Sequence, residues 1–146
     1  MRDELWFYYT AIKYRGGWDY VGTYPHGEHI SLPHLDKDQG AICLAVLRRD
    51  GFISLDAADT EGSVQTVPFT LRGSTLVVNV DALQGELRVE ALQGNGRVVA
   101  QSEPLTGNLM SEPVKWAQGN LADLKGQTAS LRFTLRKAQF YSYWLQ

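Results

Sequence analysis

The chain has 146 residues, 44 % apolar and 21 % charged, which fits one globular domain and excludes disordered, collagenous and fibrous classes. At that length roughly 70 % of the unfolded chain's surface can be buried, so a core can form without staples. Fourteen basic and sixteen acidic residues give a net charge of −2; no basic stripe exists to release phosphate counterions, so nucleic acid is not an expected partner.

Cys43 is the single cysteine, so neither an internal disulfide nor a thiolate zinc site is expected. Within an apolar segment it reads as an inert small hydrophobe. No apolar run approaches the ~18–20 residues that span a bilayer, and no membrane association is expected. Met1-Arg2-Asp3-Glu4 lacks the apolar stretch of a signal peptide.

The aromatic residues are unevenly placed. Eight of the sixteen lie in the first 24 positions, from Trp6 to Tyr24. Leu5 to Tyr14 is too continuously apolar for a half-solvated strand and reads as a strand buried on both faces. Residues 15–38 form a long polar loop with Gly16-Gly17, Pro25-His26-Gly27 and Pro33. Ala41 to Leu47 is the next apolar strand. Asp50-Gly51 then signals a tight turn before Phe52-Ile53-Ser54-Leu55.

Beyond this point the alternation becomes regular. Ser74 to Val80 reads as a strand; Leu87, Val89 and Ala91 point one way and Arg88 and Glu90 the other. Gly94-Asn95-Gly96 turns the chain into Val98-Val99. Leu131, Phe133 and Leu135 alternate with Arg132, Thr134 and Arg136, and in the last strand Phe140, Ser142 and Trp144 oppose Tyr141, Tyr143 and Leu145. Leu121 to Leu124 predicts one helical turn capped by Asn120. No segment repeats at helical spacing. The pattern predicts an all-β chain, a β-sandwich of jelly-roll type with an N-terminal β-hairpin and a long loop. Leu76, Val78, Leu87, Val89, Leu131 and Phe133 are its expected core. A change in character divides an aromatic hairpin and loop, residues 1–45, from a sandwich, residues 46–146.

Three sets of residues carry candidate chemistry. His26, His29 and His34 could surround zinc or copper if their loop folded back, which would support a metal-dependent enzyme. Asp56, Asp59 and Glu61 offer oxygen ligands for a structural calcium; the competing reading is a solvated acidic turn. Trp18, Tyr20, Tyr24 and Trp116 could stack on the C–H faces of sugar rings, with Arg48 and Arg49 meeting hydroxyls or carboxylates. Against stacking stands the ordinary fate of large rings, which is burial. No Gly-x-Ser-x-Gly elbow, phosphate loop or fixed carboxylate pair appears, so no catalytic residue is assigned.

Leu47-Arg48-Arg49-Asp50-Gly51-Phe52-Ile53-Ser54-Leu55-Asp56-Ala57, Leu76-Val77-Val78-Asn79, Gly85-Glu86-Leu87-Arg88-Val89-Glu90, Val114-Lys115-Trp116, Leu131-Arg132-Phe133 and Ala138-Gln139-Phe140-Tyr141-Ser142-Tyr143 carry a resemblance. This run, roughly residues 40–146, resembles the C-terminal β-sandwich of secreted or periplasmic bacterial five-bladed-propeller proteins related to the family-32 and family-43 glycoside hydrolases. Asp3-Glu4-Leu5-Trp6-Phe7-Tyr8-Tyr9 then resembles the closing propeller strand. The resemblance implies a non-catalytic sandwich, since the family's catalytic acids come from earlier blades. It also implies a propeller domain as partner, with a homodimer as the alternative cover for exposed apolar strands. Function is thus expected to be carbohydrate-binding or carbohydrate-associated, with a purely structural C-terminal role as the alternative.

Overall fold

The computed structural model describes residues 4–12, 22–23, 29–30 and 40–146, and among them it is all-β with no α-helix. The strands are β1 (Glu4–Ile12), β2 (Gly22–Thr23), β3 (His29–Ile30), β4 (Gly40–Arg48), β5 (Leu55–Ala57), β6 (Gly62–Gln65), β7 (Phe69–Thr70), β8 (Leu76–Gln93), β9 (Val98–Ser102), β10 (Leu105–Pro113), β11 (Trp116–Gln118), β12 (Thr128–Arg136) and β13 (Ala138–Leu145). By its contacts the chain falls into two compact units. One is Glu4–Leu47; the other takes in Arg48–Gln146.

In the smaller unit β1 pairs with β4, and β2 with β3. The larger unit is one nine-stranded sheet that curls until it is nearly closed. Its organising element is β8, a single strand of 18 residues. The first half of β8 pairs with β10 on one edge and β13 on the other. Its second half pairs with β9 and β12. One strand therefore belongs to two sheet regions, and the core lies between them. This explains the sequence pattern along it: Leu76 to Val80 is buried without alternation, whereas Arg88 and Glu90 look outward between buried Leu87, Val89 and Ala91.

The strand expected at Ser74 to Val80 and the alternating residues Leu87 to Ala91 belong to one continuous strand. Gly85 permits it, because a Cβ at that position would overlap the Arg136 carbonyl where β12 turns into β13. All six expected core residues are buried, at 0–1 % exposure. Asn120 caps the turn Leu121–Leu124 by accepting a hydrogen bond from the Ala122 amide at 3.0 Å.

The last strand departs from strict alternation. Its register against β8 shifts between Phe140 and Ser142, the signature of a β-bulge, which reverses the faces beyond it. Phe140 and Tyr143, expected on opposite faces, therefore both reach Phe133, with ring centroids 4.6 and 5.0 Å away. The same bulge leaves Tyr141 and Trp144 available to other partners.

Candidate functional site

The start of the larger unit is fastened to its strands by three consecutive residues, Arg48, Arg49 and Asp50. Asp50 takes a left-handed backbone, φ 55°, and the Gly51 amide bonds back to the Arg48 carbonyl at 2.9 Å, closing the turn that Asp50-Gly51 signals. The Arg48 guanidinium lies 4.3 Å from the Tyr141 ring centroid and its Nη2 donates to the carbonyls of Leu109 (3.2 Å) and Val80 (3.5 Å). These carbonyls belong to β10 and β8, so one side chain ties two strands. Arg49 stands over Trp144 at 5.2 Å. Asp50 accepts from the Ser142 hydroxyl at 3.0 Å. Fully buried Asn79 donates to the Arg49 carbonyl at 2.6 Å. Among the described residues, Arg48 Nε and Asn79 Oδ1 are the buried side-chain atoms that find no partner, a donor and an acceptor in the same clamp.

Arg48 and Arg49, singled out as hydroxyl or carboxylate partners, lie against β8, β10 and β13 of the larger unit. Trp116 lies on β11, half-buried and packed against the core. Trp18, Tyr20 and Tyr24 lie outside the described residues, as do His26 and His34 and the side chain of His29. Asp56 accepts from the Ser54 hydroxyl at 2.6 Å, and the exposed Asp59 pairs with Lys137 at 2.7 Å. These two carboxylates line one cleft and Glu61 another, and among the described residues no three His, Cys, Asp or Glu side chains gather where a metal could bind. Cys43 is unpaired and half-buried.

The smaller unit presents a different surface. In the β1–β4 ribbon Tyr8 is 68 % and Ile42 82 % exposed; Trp6, Phe7, Tyr9, Leu44 and Val46 are exposed as well. Adjacent strand residues point to opposite faces, so Trp6-Phe7-Tyr8-Tyr9 places large rings on both. Among the described residues the expected burial of this segment on two faces is not met. A two-stranded ribbon has no third layer to supply it. The continuous apolar run marks these residues in the sequence but does not tell a buried strand from an uncovered one. The clamp carries no local signal, because Arg48 meets partners 32 and 61 residues away. No family model, curated protein or solved structure matches the chain.

Proposed function

We propose that the chain is a non-catalytic, carbohydrate-associated module, a β-sandwich of jelly-roll type that fastens to a β-rich partner domain through the β1–β4 ribbon. The observation that carries this reading is the exposure of large apolar side chains on both faces of the ribbon. Burying each such side chain is worth about 1.5–3 kcal/mol, and contiguous apolar surface of this kind marks an interaction site. The propeller implied by the resemblance is a partner of the required shape, since its blades would cover both faces. A second copy of the chain is the alternative cover.

Replacing Tyr8 and Ile42 together by lysine tests the reading. The unaltered chain is expected to bind a hydrophobic dye and to gain mass with concentration in sedimentation velocity. The double variant should do neither, while its melting changes by no more than about 0.5 kcal/mol, as for surface positions outside a core. An unaltered chain that stays monomeric and binds no dye, or a variant that unfolds, contradicts it.

A further inference from the structure

The outer face of the larger unit carries a trough of about 790 Å³ across β6, β12, β8 and β9. Its shape follows from strand register. Thr134 on β12 lies opposite Ser63 on β6 and Arg88 on β8, so two short hydroxyl side chains form a low floor. On one side stands a wall of long side chains bonded across four strands. Gln101 donates to Glu90 at 2.9 Å, Arg132 donates to Glu90 at 2.9 Å, and Arg132 Nε donates to Gln65 at 3.2 Å. On the other side Arg136 and Arg88 both donate to Glu86, at 3.4 and 3.2 Å. The floor therefore runs between two braced walls.

We propose that this trough binds a neutral oligosaccharide through its hydroxyl groups. Among the described residues three arginines and three glutamates line it, so their formal charges cancel and favour neither an anion nor a cation. Donors and acceptors alternate at strand spacing, about 4.8 Å, and neighbouring sugar hydroxyls can accept from one and donate to the next. Among the described residues Arg88 and Arg136 each spend only Nη2 on Glu86, which leaves the rest of each five-donor fork for ligand oxygens. The cross-strand bonds hold the side chains in place before binding, so little rotamer entropy is lost when a ligand arrives. Among the described residues no aromatic ring lines the trough; recognition by them rests on hydroxyl bonding, not stacking. The inference rests on the carbohydrate-associated part of the function proposed above and is independent of the ribbon.

The test is titration calorimetry of the full chain with cellohexaose, xylohexaose and maltohexaose, and with hexagalacturonate as the anionic control. At least one neutral hexasaccharide is expected to bind, and to bind more tightly than the control. Arg88→Ala and Thr134→Trp, the second filling the floor, should each weaken binding about tenfold or more with folding confirmed by an unshifted melt. Should Thr134→Trp fail to fold, Arg88→Ala carries the decision. Binding untouched by these variants removes the trough and leaves the carbohydrate reading standing. Binding of hexagalacturonate alone overturns the assignment of a neutral ligand. No binding of any of the four removes both the trough and the carbohydrate reading.

Discussion

Phe133→Ala is expected to destabilise the larger unit by about 3–5 kcal/mol, the largest single effect foreseen for the chain. Phe133 is 1 % exposed and its ring meets Phe140 and Tyr143 at once, so truncation opens a cavity between β12 and β13. The bulge at Phe140–Ser142 fixes those two rings in place, and backbone pairing to β8 restrains their collapse. At roughly 4–8 °C per kcal/mol for a domain near 100 residues, the melt should fall by at least about 12 °C. Urea denaturation checks it. A loss below about 1 kcal/mol would mean that the triad is not the packing centre.

Arg48→Ala should cost about 2.5–4 kcal/mol. It removes donors to the Leu109 and Val80 carbonyls and the contact with Tyr141; hydrogen bonds from a charged group contribute about 1.5–3 kcal/mol, and the contact with the ring adds about 1 kcal/mol. Arg48→Lys should recover only part, since an ammonium cannot lie flat on Tyr141 and reach two carbonyls on different strands. Equal stability of all three proteins by urea denaturation would contradict the clamp.

What the sequence made legible follows from how local each signal is. Leu131, Phe133 and Leu135 set the inner face of β12 by simple alternation, and the Asn120 cap needed only its own neighbours. Alternation failed at the end of β13 because a bulge adds one residue to one strand, a property of the pair and not of either sequence. Nothing in the local pattern marks the role of Gly85, which makes room for the Arg136 carbonyl. Arg48 and Arg49 read as hydroxyl or carboxylate partners; the rings they stand over, Tyr141 and Trp144, are more than 90 positions away in the sequence and carry no local signal. The trough was hidden similarly. Arg132 and Glu90 are ordinary outward-facing residues until register sets Thr134 against Ser63.

These features support a division of labour. The larger unit carries the buried core, and the ribbon carries the exposed apolar surface that the proposed function assigns to a partner. Amide hydrogen exchange of the full chain, at concentrations where it is monomeric, tests this division most directly. The account predicts that amides of Val78, Val89, Leu131 and Phe133 exchange only through global unfolding, while those of Trp6–Thr10 and Ile42–Val46 exchange near the rate of unstructured chain. Protection of the ribbon equal to that of β8 and β12 would contradict it.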